Sequence, residues 1–305
     1  DLLDDTGDLP SGTRVVVDPV LTCAARGVPA CGACRAGMRQ RCSSVATGEL
    51  RPGMQTGYCA DTGGGWAGVC LAHDSQLHAV PDTLPDRAAA LIEPFACAIH
   101  AAQRGLAERL GRSAEMVLVV GGGLLGLLTI LALRSLDFTG TLLAVARHPR
   151  QRERAIALGA SQAVPPEEAV AAARRLARST RLEPDQGSSF LMDGVDVAFE
   201  CAGTPSALDL ALRTTRAGGR VVLVGLPGAG VDLAPLWFRE LELIGAYAAS
   251  AGFDAALKLS TQVASELAAL ASAVYPLDRW RDAIDHALDA GRLGAARIVF
   301  DPRAT

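Results

Sequence analysis

Four cysteines, Cys23, Cys31, Cys34 and Cys42, fall within one short polar stretch of the chain. The CGAC pair, Cys31 and Cys34, with Cys42 after a short arginine-bearing turn, supplies three thiolates at spacings that can close around one tetrahedral zinc ion. Cys23 lies upstream in LTCAARGVPAC and completes the set if the chain folds back at Gly27 to Pro29. Such a site is structural. Four thiolates fill every coordination position, no place remains for a substrate, and binding stabilises a lobe with little apolar core. The competing reading is a loop of unligated thiols.

A second constellation is VLVVGGGLLG, which sets Gly121, Gly123 and Gly126 in GxGxxG spacing between a β-rich run and an apolar helix. Gly121 permits the tight turn, and Gly123 lets the backbone approach a pyrophosphate. Leu124 and Leu125 open a helix whose free N–H groups and positive dipole end face that anion, and Gly126 allows helix and strand to pack closely. The alternative is a glycine-rich turn with a packing role alone. A free ribose 2′-hydroxyl calls for an acidic residue at the end of the next strand. TLLAVA ends instead at Ala146, followed by Arg147, His148 and Arg150. Two guanidinium groups and an imidazole then stand where a 2′-phosphate would lie, so NADP is expected in preference to NAD. A solvated basic helix start unrelated to a cofactor is the other reading.

The elements that must carry these residues differ along the chain. Up to about Pro94 the sequence is rich in Gly, Pro, Val and Cys, with strand-like runs such as RVVVDP and no helical period, which predicts an irregular β region. From Met116 short apolar runs alternate with helical segments. VLVVG, TLLAVA, a run near Ala163, VDVAFEC, RVVLVG and LELIGAYA are separated by helices through Leu133, Pro149 to Leu158, through Arg178, and Pro205 to Arg216. Six strands in βαβ order predict a doubly wound parallel sheet in an α/β fold. After Tyr275 comes an amphipathic helix and the strand-like ARIVF, placed to return to the first region.

Composition narrows the function classes. The chain has 305 residues, 50% hydrophobic and 20% charged, with a formal net charge of -4. It can bury a sizeable core and is not expected to be disordered. Scattered arginines and 4% aromatic content argue against a nucleic-acid binder and against a basic membrane-surface protein. Met116 to Leu133 approaches the length of a membrane span, but three consecutive glycines interrupt it. The first residues, DLLDDTGDLP, have neither a basic start nor an apolar run, so no signal peptide is read and the cytoplasm is expected. Without export signals the eight cysteines fit metal or free thiols better than disulfides.

Taken in order, these pieces resemble the zinc-dependent medium-chain dehydrogenase/reductase family, the alcohol, sorbitol and threonine dehydrogenase group. SGTRVVVDP is similar to the strand before that family's structural zinc lobe, CGAC with Gly37 and Cys42 to the lobe, and GGGWAGVCLAHDSQLHAVPD to the strand and loop after it. LIEPFACAIHA resembles the segment entering the cofactor domain, VLVVGGGLLG the cofactor loop, FECAGTPSAL and GGRVVLVGLP the fourth and fifth strands, and GAARIVFDP the closing strand. Val28 stands where the family's first lobe cysteine is expected, and Cys23 is the compensating candidate.

The resemblance implies a partial GroES-like β region with a zinc lobe over residues 1–92, a Rossmann domain over 93–270, and a segment over 271–305 that returns to the β region. It implies an oxidoreductase interconverting a small-molecule alcohol and a carbonyl by hydride transfer. Cys201, Gly203 and Gly225 are then expected along the nicotinamide half of the cofactor, although both glycines also suit simple turns. Glu93 in LIEPFAC matches a position that supplies a ligand to the family's catalytic zinc; the bland reading is a helix-start glutamate beside Pro94. The family's other catalytic ligands, a cysteine and the histidine of a Gly-His-Glu motif, belong to a segment before this sequence. One carboxylate cannot hold a catalytic zinc, and His73, His78, His100 and Cys97 qualify as replacements by type alone. The alternatives are a nucleotide-binding remnant without alcohol chemistry and a zinc-independent enone or quinone reductase. A homo-oligomer paired through LELIGAYA is expected by analogy.

Overall fold

The structure, a computed structural model, describes residues 1–2, 9–108, 114–185, 187–228, 230–248 and 251–304. The chain divides into two units, Asp1–Cys97 with Ala248–Thr305, and Ala98–Tyr247.

In the first unit Val15–Val17 (β1) pairs antiparallel with Leu77–Ala79 (β2), Val15 opposite Ala79 and Val17 opposite Leu77. Between them, among the described residues, the chain runs through loops and three short helical turns, Gly32–Arg35, Arg39–Arg41 and Asp74–Gln76. Val20, Leu21, Cys23 and Cys59 are the buried apolar residues of that stretch, which is the irregular, core-poor region the composition predicts. The helix Ile92–Leu106 (α1) then carries the chain out of this unit. Its proline falls in the first turn, where the missing N–H costs no helical bond. Ile92, Phe95, Ala96 and Ile99 recur at helical spacing and are fully buried.

The second unit is built on Met116–Val120 (β3), Leu124–Ser135 (α2), Thr141–Val145 (β4), Pro149–Ala157 (α3), Gln162–Val164 (β5), Ala169–Ala177 (α4), Val195–Glu200 (β6), Pro205–Thr214 (α5), Thr215–Leu223 (β7) and Glu242–Gly245 (β8). The six strands form one parallel sheet in the order β8-β7-β6-β3-β4-β5. Every residue of β3 is buried, as are Gly126 to Leu133 of α2. These near-continuous apolar runs are what a parallel sheet covered on both faces requires. The apolar stretch of near membrane-span length is therefore a strand, a glycine turn and a helix; among the described residues no helix is long and apolar enough to cross a membrane. One boundary differs from the sequence pattern. Helix α5 stops at Thr214, and Thr215, whose hydroxyl bonds the Ala211 carbonyl at 2.7 Å, already pairs opposite Val195 as the start of β7.

The chain returns to the first unit as Phe253–Ser260 (α6), Ala264–Leu270 (α7), Ala271–Tyr275 (β9), Trp280–Leu288 (α8) and Arg297–Phe300 (β10). Strand β9 pairs parallel with β10, α8 packs on β10, and α7 packs on the helical turn Asp86–Ala89.

Candidate functional site

The sheet order reverses between β3 and β6, whose last residues, Val120 and Glu200, lie opposite each other. A crevice outside the carboxyl ends of the strands at such a point is where doubly wound sheets bind their ligands. Gly121 leaves β3 with φ +119°, and a Cβ there would sit 2.8 Å from the Ala202 amide nitrogen. A Cβ on Gly126 would overlap the Gly121 carbonyl oxygen, whereas one on Gly123 would meet nothing within 4 Å. Two of the three glycines are thus demanded by protein packing, and the third faces open space. Gly123 is also the N-cap of α2 and provides no side-chain cap, so no side chain competes for the first-turn amides.

The crevice is a cleft of about 510 Å³ lined by Gly121, Gly122, Gly123, Ala146, Arg147, His148, Gln151, Cys201, Ala202, Thr204 and neighbouring residues. The structure therefore brings Gly121, Gly123, Arg147, His148 and Cys201 to one cavity, with Leu124 and Leu125 opening the adjoining helix. Arg150 is an exposed residue in the first turn of α3. His148 caps α3, its N–H donating to Gln151 Oε1 at 3.4 Å. Gly203, at φ +68°, and Gly225 interlock: a Cβ on Gly225 would come within 2.8 Å of the Gly203 Cα and 2.7 Å of Glu200 Oε2. Cys201 Sγ lies 3.7 Å from Thr129 Oγ1, and burial pushes its thiol up to about 12, which leaves it a poor nucleophile.

Three further residues shape this cleft. Gly122 must be a glycine because a Cβ would collide with the Ala146 methyl group and lie 2.8 Å from Gln151 Cβ; the run of three glycines was its signal. Arg152 donates from Nη1 to the Ala146 carbonyl at 2.9 Å and the Arg147 carbonyl at 2.8 Å, fixing the turn after β4. Glu200 is fully buried, and its Oε1 accepts the N–H groups of Ala202 at 2.9 Å and Gly203 at 2.7 Å while Oε2 has no partner. Burial pushes its carboxyl up, against the pull of those amides. A lone acid closing the apolar run VDVAFE was the available signal.

In the first unit the sulfurs of Cys23, Cys31, Cys34 and Cys42 all lie within 4.8 Å of one another. The Cys23 and Cys42 sulfurs are 3.6 Å apart, close to the ~3.8 Å edge of a tetrahedron with zinc–sulfur bonds of about 2.3 Å. Cys23 sulfur accepts the Cys31 N–H at 3.2 Å and lies 3.2 Å from the Ser44 hydroxyl. That hydroxyl holds the Cys23 thiol below its ordinary range, and backbone hydrogen bonds from Cys34 and Ser43 bring Cys31 to about 5. Burial pushes Cys34 up to about 12 and raises Cys42. Four convergent sulfurs, two of them with lowered thiol values, are a donor set that fits a zinc ion. Cys23 joins the others as the sequence suggested, so Val28 leaves no gap.

Glu93 stands in the first turn of α1, its Oε1 3.5 Å from Cys97 Sγ. Burial pushes both groups up, with Arg297 opposing this for Glu93. Among the described residues the four cysteines are the one group of three or more potential metal ligands. The other candidates by type have protein roles: His73 Nδ1 accepts the Ser75 N–H at 3.1 Å, and the buried face of His78 stacks on Phe253 with ring centres 4.4 Å apart.

Sheet order, glycine turn and cleft define a Rossmann nucleotide-binding unit, carried in the same chain as a four-cysteine lobe. A family model described as zinc-binding dehydrogenase matches residues 125–273. Sorbitol dehydrogenase of Bacillus subtilis strain 168 is 27% identical over 280 residues, 91% of this chain and 71% of the relative. L-threonine 3-dehydrogenase of Pectobacterium carotovorum is 26% identical over 297 residues, 96% of this chain and 76% of the relative. Among solved structures, a zinc-binding dehydrogenase of Sinorhizobium meliloti 1021 bound to NADP superposes with a TM-score of 0.69 at 27% identity, covering 97% of this chain and 79% of that one. Over most of its length the chain is thus similar to zinc-dependent dehydrogenases of the medium-chain kind, and it is an oxidoreductase.

Proposed function

We propose that this oxidoreductase interconverts a small-molecule alcohol and a carbonyl with NADP as its preferred nicotinamide cofactor, and that its four-cysteine lobe holds a structural zinc ion. The observation that carries the cofactor preference is the end of β4: Ala146 and then Arg147 and His148 line the cleft beside the glycine turn, with no carboxylate in that position. A carboxylate there would accept hydrogen bonds from a ribose diol and repel a phosphate; a guanidinium does the reverse. The S. meliloti relative, which bears NADP, supports the same reading.

When bound, the cofactor supplies the hydride acceptor or donor at its nicotinamide. The chain's own residues bind and orient it. The first-turn amides of α2 and the open backbone at Gly123 suit the pyrophosphate, and Arg147 and His148, with Arg150 nearby, suit the 2′-phosphate. The interlocked turns at Cys201 to Gly203 and Gly225 suit the nicotinamide half. Glu93 is the candidate carboxylate for a catalytic metal. The test is a panel of small alcohols, including polyols and β-hydroxy amino acids, oxidised with NADP⁺ or NAD⁺ and followed by the absorbance of the reduced nicotinamide. Turnover with NADP⁺ on any member supports the proposal. Turnover confined to NAD⁺ overturns the cofactor preference, and enone reduction without alcohol oxidation overturns the reaction class.

A further inference from the structure

Arg26 is fully buried, yet each hydrogen bond of its guanidinium goes to a main-chain carbonyl: Thr47 at 3.4 Å, Leu50 at 3.0 Å, Arg51 at 3.3 Å, and Gly53. None of these partners carries a negative charge. A buried cation surrounded by dipoles alone is costly, because carbonyls replace only part of the hydration it has lost. Its place in the chain ties it to the four cysteines. Arg26 follows Cys23 in the turn that leads to Cys31, and the Arg26 and Val28 N–H groups both donate to the Cys23 carbonyl, at 3.2 and 3.0 Å. Four cysteine thiolates around one divalent ion form a centre with net negative charge.

The same side chain ties two arms of the lobe together. It grips the segment from Thr47 to Gly53, while the Glu49 N–H donates to the Arg26 carbonyl at 3.1 Å. The Gly53 N–H donates to the Val45 carbonyl at 2.9 Å, next to Ser44, whose hydroxyl reaches the Cys23 sulfur. The segment can approach this closely because Gly48, at φ +90°, has no Cβ to strike the Arg26 carbonyl. The arm bearing Cys42 and Ser44 is thereby fixed over the turn bearing Cys23.

We infer that Arg26 is a positioning residue of the four-cysteine centre, clamping its two arms in place. This rests on the zinc reading above. Groups that orient metal ligands from behind are worth about 10- to 100-fold in metal affinity. The experiment compares the full-length wild type with Arg26→Lys and Arg26→Ala, measuring zinc per chain by elemental analysis, the rate and midpoint of zinc transfer to a chromogenic chelator, and NADPH affinity on the same samples. Arg26→Lys keeps the charge but cannot reach several carbonyls at once. It is expected to weaken zinc retention about tenfold, and Arg26→Ala about 100-fold, with NADPH affinity unchanged in both. Should Arg26→Ala fail to fold, the lysine variant carries the test. Wild type that holds zinc while both folded variants hold it equally well overturns the inference and leaves the zinc reading standing. Wild type that binds no zinc overturns the zinc reading itself, and the inference with it.

Discussion

Around the glycine-lined cleft, position is set by apolar burial. Strand β3 is buried along its whole length, its register with β4 and β6 puts Val120 opposite Val145 and Glu200, and the three turns leaving those strands are held against one another by glycines that admit no side chain. Around the four cysteines the buried apolar residues are few, and position is set by polar grips: sulfur to amide, hydroxyl to sulfur, and one guanidinium to four carbonyls. The first kind of site is ready before its ligand arrives. The second, on the zinc reading proposed above, would draw much of its cohesion from the metal, since structural zinc contributes folding free energy outright.

The largest expected effect breaks that contrast on the metal side. Replacing Cys34 by Ser, or stripping metal with a strong chelator, should remove zinc, lower the melting temperature and expose residues 23–59 to limited proteolysis. NADPH affinity measured by calorimetry should stay within about twofold. On the other side, Gly126→Ala forces a Cβ into the Gly121 carbonyl. Overpacking of this kind costs about 1–3 kcal/mol, so nucleotide affinity should fall about tenfold to 100-fold while zinc content is unchanged. Loss of both properties in either variant would show that the two sites are not independently built.

A comparable but more selective effect is expected at the end of β4. Arg147→Glu should weaken NADPH about 10- to 100-fold and leave NADH within a few-fold, because the charge acts on the extra phosphate alone. The smallest effect concerns the sheet that supports the cleft. Burial pushes Asp196 up, but hydrogen bonds from Arg216 and from the Glu115 and Met116 amides outweigh it, so its carboxyl sits below the ordinary range. A depressed folded value means that this stabilisation is present above the unfolded value near ~3.9 and is lost as the pH falls through the folded one. Asp196→Asn should therefore cost about 1–3 kcal/mol in urea unfolding at neutral pH, and the difference from wild type should shrink in acid.

The two regions also differ in how much of them could be read from the sequence. The sheet was legible strand by strand, because apolar runs and glycine spacing state a parallel sheet and its turn directly. The cysteines were legible by type and spacing, including the distant Cys23. What escaped is the polar support. Arg26 and Glu200 act through where they are buried, Arg152 through the turn it grips, and in a chain rich in arginine nothing local separates a clamp from a solvated side chain. Arg150, grouped with Arg147 by proximity, lies in the first turn of the helix that follows and is exposed. Glu93 falls at a helix start as its sequence context suggests, but its neighbours by type, His73 and His78, are engaged elsewhere.

The most direct test of the account is a calorimetric titration of the purified protein with NADPH and with NADH at the same low ionic strength. NADPH is expected to bind at least about tenfold more tightly, with the margin narrowing as salt is raised and vanishing in Arg147→Glu. NADH binding as tightly as NADPH, or more tightly, would contradict it.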